Sequence, residues 1–337
     1  MTQIVCVGAV YIDTILTVPH FPKEDEKLRA SKLIRRRGGN CANSLEVISQ
    51  LISHETAEEN DPEDTEPAEL PLHLVSVFPD KKSDDVGLIR NSLPNVRLWP
   101  SGIYRAGATE AASSYIIKSL DKDTRTIVSI NKLPEMTVEE FAAKAFNLAV
   151  VEDVKEGWYH FEGRIPDITL KCVEALREAH EHRGMKISVE CEKPEREGMK
   201  RVAELADVVF YSKLWAEKNG FKDAKSFLEA QLKCTRSNAL LCCTWGDGGA
   251  TLVQKASDAP EQWSTVTSWK QTPAVAVVDT IGAGDTFIAG MLYTLTYHAD
   301  WTLDMKLQFA NELAGRKVIQ DGFGGLASKI FAQGRYI

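Results

Sequence analysis

The stretch Ala274-Val275-Ala276-Val277-Val278-Asp279-Thr280-Ile281-Gly282-Ala283-Gly284-Asp285-Thr286-Phe287 decides how the chain is read. Its first five residues are an apolar, β-branched run that predicts a buried strand. A glycine turn follows, after which Phe287, Ile288, Met291, Leu292 and Leu295 fall on one helical face. The expected order is strand, glycine turn, helix. Glycines let backbone N–H groups converge on a ligand, and a helix start adds unpaired donors and partial positive charge. Gly282, Ala283 and Gly284 are therefore candidates for an anion site. Asp285 stands where it could take a proton from a hydroxyl that attacks a phosphate. By spacing alone Asp285 serves as well as a helix cap, with the glycines merely turning the chain. A dinucleotide fingerprint is disfavoured, because its sixth position is Phe287 and the motif comes late in the chain. No Walker A pattern occurs.

A second cluster comes early. Arg37-Gly38-Gly39-Asn40-Cys41-Ala42-Asn43-Ser44 leads into a helical pattern. Two carboxamides at a spacing of three offer donors and acceptors to a polyhydroxylated ligand. A turn with an N-cap explains the same residues. Asp13, after the first apolar run, could accept hydrogen bonds from a pair of hydroxyls or lie in a surface turn.

Between these motifs, short apolar runs alternate with amphipathic stretches. Ile4–Val7, Leu72–Phe78, Trp158–Phe161, Lys186–Val189, Asp207–Phe210 and Leu240–Cys243 read as buried strands, and Asn43–Ile52, Thr169–His182 and Lys222–Leu232 as helices. This alternation predicts an α/β fold with a largely parallel sheet and helices on both faces. Residues 9–37 and 95–131 break the rhythm and read as a small β-subdomain, with Ser113–Lys118 and Thr124–Ile130 as a hairpin.

The chain has 337 residues, 40 Lys+Arg and 48 Asp+Glu, for a net charge of −8. Eight of the acids, with no Lys or Arg, lie between residues 53 and 71, so the rest of the chain is formally neutral. That segment also carries three prolines and reads as a disordered surface insertion. A basic nucleic-acid binder is excluded as a class. The N-terminus shows neither a signal peptide nor a membrane span, and the seven cysteines form no Cys-x-x-Cys pair. Free thiols and a cytoplasmic location are the expectation.

The sequence resembles the ribokinase-like (PfkB) carbohydrate kinases. The Asp279–Phe287 stretch is similar to their C-terminal signature and Gly38-Gly39-Asn40 to their N-terminal one. Pro22-Lys23-Glu24-Asp25, Glu162-Gly163-Arg164, Ser188-Val189-Glu190, Glu192-Lys193-Pro194 and Ser212-Lys213 resemble ketohexokinase segments in particular. The likeness runs from about Ile4 to about Leu326.

It implies one kinase domain over residues 1–337, with a ribokinase-like fold and a small β-sheet lid. It also implies ATP-dependent phosphorylation of a ketohexose, D-fructose to fructose 1-phosphate. Asp285 would be the general base, and Gly282, Ala283 and Gly284 the anion hole. Asp13, Gly39, Asn40 and Asn43 would hold the sugar. Arg125, Lys213 and the Gly246-Asp247-Gly248-Gly249 loop would hold ATP. Mg²⁺ would ride on the phosphates and water, with no protein ligand assigned. Many members need K⁺ near the anion hole. The lids of two subunits would clasp into a homodimer, bringing Asp25 of one toward the sugar of the other. A kinase for another small sugar, polyol or nucleoside, and a non-catalytic sensor on the same fold, are the alternatives.

Overall fold

Side chains along the strand Thr2–Val7 alternate between two cores. Ile4 and Cys6 enter one; Val5 and Val7 enter the other. Leu240–Thr244 behaves likewise, with Leu240 and Cys242 on one face and Leu241 and Cys243 on the other. A strand with both faces buried needs apolar residues throughout, which is why these segments read as continuous apolar runs. The computed structural model describes residues 2–59, 70–122, 124–151, 156–179, 184–256, 259–332, 334 and 336.

These strands build a nine-stranded sheet in the order Gln262–Val266, Ala250–Gln254, Leu240–Thr244, Val208–Tyr211, Gly184–Cys191, Glu156–Phe161, Thr2–Val7, Leu72–Val75 and Val96–Arg97. Pairing is parallel from Leu240–Thr244 onward, and the first two strands are antiparallel. On one face pack the helices Asn40–Glu59, Ala283–Thr296, Leu303–Val318 and Leu326–Phe331. On the other pack Val138–Val151, Pro166–Ala179, Met199–Leu205 and Ala224–Gln231. Helix-covered faces are the usual condition of a parallel sheet. Among the described residues no helix is long and apolar enough to cross a membrane.

A separate four-stranded sheet holds Lys32–Gly38, Tyr11–Val18, Ala112–Ser119 and Thr124–Ile130, in that order. The expected hairpin is present, with Tyr115 opposite Val128. The subdomain is narrower than residues 9–37 and 95–131. Val96–Arg97 pairs with the main sheet, and Ile103–Tyr104 pairs with Val77–Phe78.

Two further expectations need correction. Ala274–Val278 is not a strand: Val275, Val277 and Val278 are exposed. It is tied instead to the carbonyl of Val318, which accepts from Val278 N and Asp279 N at 2.8 and 3.1 Å. One shared acceptor makes no ladder, and composition alone cannot reveal whether a neighbouring strand is on offer. The disordered reading of residues 53–71 does not hold for 53–59, which belong to the helix Asn40–Glu59. Glu55 there meets Nε2 of His298 at 2.8 Å. Residues 60–69 lie outside the described residues.

Candidate active site

A cavity of about 370 Å³ opens between the carboxyl ends of the parallel strands and the small sheet. Crevices at this end of an open α/β sheet are where ligands bind, and the volume suits a small molecule. The main sheet contributes Glu190, Phe210, Tyr211, Cys242 and Thr244. The small sheet contributes Asp13, Ser114, Ile116, Arg125, Ile127 and Ser129. Register places Asp13, Ser114 and Ser129 side by side, so one face of that sheet is turned toward the cavity.

The floor is the expected glycine turn. Gly282 adopts φ +79° and caps the helix Ala283–Thr296. A Cβ at Gly282 would lie 2.4 Å from the Phe323 ring, whereas a Cβ at Gly284 would meet nothing within 4 Å. The turn is thus packed from behind and open in front. Gly282, Gly284 and Asp285 line the cavity, with Ala283 between them in the chain.

Asp285 is buried and accepts from Asn43 Nδ2 at 2.6 Å. Asn43 Oδ1 accepts from Arg37 Nη1, also at 2.6 Å. A guanidinium can only donate and a carboxylate only accept, so the pair fixes which way the carboxamide points. Arg37 is itself buried, held by Glu46 and by Ser92 Oγ at 3.2 Å. Ser44 Oγ donates to the Asp285 carbonyl at 2.9 Å, locking one helix start to the other. Burial pushes the Asp285 carboxyl up to about 7; Glu192 and Glu162 add to this, while Asn43 and Arg37 oppose it.

Asn40 and Gly39 also line the cavity. Asn40 Nδ2 lies 3.1 Å from Glu190 Oε2 and 3.5 Å from Glu192 Oε2. Gly39 has φ +109°, and a Cβ there would sit 2.3 Å from the Ala9 carbonyl. Only glycine lets the chain leave the strand and enter the helix at this point. Burial pushes the Asp13 carboxyl up, against the pull of Arg36, Ser114 and Arg37. Burial, with Glu192 and Asp285 nearby, pushes Glu190 well above the usual carboxylate range.

The other expected residues lie apart from this centre. Arg125 lines the cavity and donates to Thr280 Oγ1 at 2.9 Å. Lys213 begins the helix Lys213–Lys218, 3.6 Å from Glu217, and does not line the cavity. Its ammonium lies 5.7 Å from the Trp245 ring, next to the turn Gly246–Gly248. Gly249 follows with φ +90°, and a Cβ there would fall 1.9 Å from the Val266 carbonyl. Gly246, Asp247, Gly248 and Gly249 do not line the cavity. Asp25 sits at φ +60° in an exposed turn of the small sheet. Among the described residues no cluster of three or more His, Cys, Asp or Glu side chains is arranged to hold a metal.

Sequence reasoning gave no role to Arg37, Glu190, Glu162 or Arg164. Glu162 is fully buried, accepting from Ala9 N at 2.8 Å and from Arg164 at 2.6 Å. Arg164 in turn reaches the Tyr11 hydroxyl at 3.1 Å at the edge of the cavity. Glu162, Arg164 and Glu190 lie in segments noted for their family likeness, which was the available signal.

This architecture is that of the ribokinase-like fold. A ribokinase from Giardia lamblia aligns over 100% of this chain and 99% of its own, with a TM-score of 0.72 and 16% identity. An Arabidopsis thaliana ribokinase complexed with ribose and ATP aligns over 95% of this chain and 93% of its own, with a TM-score of 0.66 and 16% identity. Likeness at that identity establishes the fold alone. Residues 1–326 match the pfkB family carbohydrate kinases, and the chain belongs to that family. A ketohexokinase from Mus musculus is 29% identical over 329 residues, covering 96% of this chain and 98% of its own length. The protein is an ATP-dependent carbohydrate kinase.

Proposed function

We propose that the enzyme transfers the γ-phosphoryl group of ATP to the 1-hydroxyl of a ketohexose, converting D-fructose to fructose 1-phosphate. The observation that carries the chemistry is Asp285: buried, held by Asn43, titrating near 7 and placed beside the open face of the glycine turn. A base is most useful when its pKa lies close to the working pH. Asp13, Asn40 and Asn43 hold the sugar hydroxyls. Asp285 takes the proton of the attacking hydroxyl as its oxygen bonds to phosphorus and the bond to ADP breaks. The N–H groups of Gly282, Ala283 and Gly284 stabilise the charge on the transferring group.

The donor set around the turn fits ATP. Gly284 leaves room in front of the turn, and Arg125 can exchange Thr280 for a phosphate oxygen. Lys213 and the Gly246–Gly249 loop would flank the rest of the nucleotide. Mg²⁺ on the phosphates would supply charge neutralisation.

The near full-length likeness to a ketohexokinase supports the acceptor. A panel of fructose, other hexoses, ribose, polyols and adenosine, scored by acceptor-dependent ADP release with and without K⁺, tests it. A preference for ribose or adenosine overturns the fructose assignment and favours another small sugar or nucleoside.

A homodimer through the small sheet is part of the same reading. Leu33, Tyr115, Val128 and Ile130 are exposed, and register puts them on the face turned away from the cavity. A second copy covering that face would remove apolar surface from water. It would also place Asp25 at the partner's sugar. A monomeric mass by light scattering refutes this. The seven cysteines are all unpaired, which supports a cytoplasmic setting.

A further inference from the structure

Lys317 is a fully buried lysine behind the glycine turn. Its ammonium donates to the Asp279 carbonyl and to Asp279 Oδ2, both at 3.0 Å, and lies 5.3 Å from the Phe323 ring. A buried ammonium is costly unless paired and hydrogen-bonded, and both of these bonds go to one residue. Asp279 Oδ1 accepts from Ile281 N at 2.9 Å, which fixes the start of the turn. The next residue of the helix, Val318, holds Val278 N and Asp279 N through its carbonyl. Phe323 fills the space behind Gly282. Arg36, from the small sheet, approaches Asp279 Oδ2 at 3.6 Å.

We infer that Lys317 is a positioning residue for phosphoryl transfer, clamping Asp279 from behind and so holding the turn that brings Gly282 and Gly284 to the cavity. The inference rests on the reading of that turn as the phosphoryl site. Lys317 does not line the cavity; it acts through Asp279. Asp279 joins three parts: the end of the helix Leu303–Val318, the turn, and the small sheet through Arg36. Loss of the clamp lets the turn relax. That weakens stabilisation of the transferring group more than it weakens binding of the sugar.

The test compares Lys317→Met with Lys306→Met. Lys306 is a second buried lysine, whose ammonium bonds the carbonyls of His298, Ala299 and Trp301 away from the cavity. Lys317→Met is expected to lower kcat by about 10²- to 10³-fold, the range seen for loss of an anion-hole donor. Sugar KM should stay within about threefold, the pattern of an interaction made in the transition state. Lys306→Met should cost thermal stability and leave kcat per folded enzyme unchanged. Equal kcat losses in the two variants overturn the inference, as does a Lys317→Met effect confined to KM.

Asp279→Asn keeps an oxygen for Ile281 but removes the charge. It should show the same kcat-selective loss, and it carries the test if Lys317→Met fails to fold. The double variant should be no worse than the weaker single; losses that multiply refute a shared role. Asp285→Asn is assayed in parallel. If it retains full turnover, the site reading itself fails. If it is inactive while Lys317→Met turns over like the parent, only the clamp fails.

Discussion

Asn43 Nδ2 lies 2.6 Å from Asp285 Oδ2, joining the starts of two helices that are 242 residues apart in sequence. Arg37 holds the other end of the same carboxamide. Asn43 therefore orients the carboxylate, and its hydrogen bond lowers the Asp285 pKa against burial. Asn43→Ala should remove both effects. We expect kcat/KM at neutral pH to fall roughly 10²-fold, the scale of a misplaced catalytic group. The acid limb of the pH profile should also move to higher pH. An unchanged limb would show that Asn43 does not touch the titration of the base.

In the parent enzyme the base must be ionised, so kcat/KM should rise with pH through an apparent pKa near 7. Asp285→Asn should abolish that limb and lower turnover by roughly 10³-fold or more. Stability should move the other way. The Asp285 pKa is raised on folding, so its contribution is fully present below the unfolded value near 3.8 and is lost as pH rises through about 7. Asn carries no such loss. The Tm of Asp285→Asn should therefore gain on the parent between pH 4 and pH 8. A gap that stays flat or narrows over that range contradicts the burial argument.

The local motifs were legible because local chemistry specifies them. A glycine turn opening a helix, and Gly39 followed by two asparagines, carry their constraint in neighbouring residues. Buried parallel strands were legible for a similar reason, since both faces demand apolar side chains. The run Ala274–Val278 misled because an apolar stretch looks the same whether or not a sheet edge waits for it. The orientation of Asn43, set by Arg37, could not be read, because it depends on which acceptor remains once the helices have docked. Lys317 is one residue from the end of its helix and invites a reading as a solvated last-turn cation, yet its side chain is fully buried. Only the fold brings Asp279 over it.

Arg125 bonds Thr280 from the neighbouring sheet and is otherwise exposed. Its guanidinium is free to trade that hydroxyl for a phosphate oxygen, a stronger, charge-assisted partner. Arg125→Ala should raise the KM for ATP several-fold and leave the sugar KM nearly unchanged. A rise confined to the sugar KM would move Arg125 to the acceptor side of the cavity.

The acidic segment allows a last test of what is separable from catalysis. The helix that starts at Asn40 has 20 residues, so its far end lies about 30 Å from Asn40. Glu55 belongs to that helix and pairs with His298, so it should be kept. Replacing Asp61, Glu63, Asp64, Glu66 and Glu69 by their amides removes five negative charges and takes the net charge from −8 to −3. At physiological salt a helix end about 30 Å from Asn40 is several Debye lengths away from it. The variant should run at a higher isoelectric point, with kcat and both KM values within about twofold of the parent. A large fall in turnover, with an unchanged melting curve, would tie the segment to the reaction.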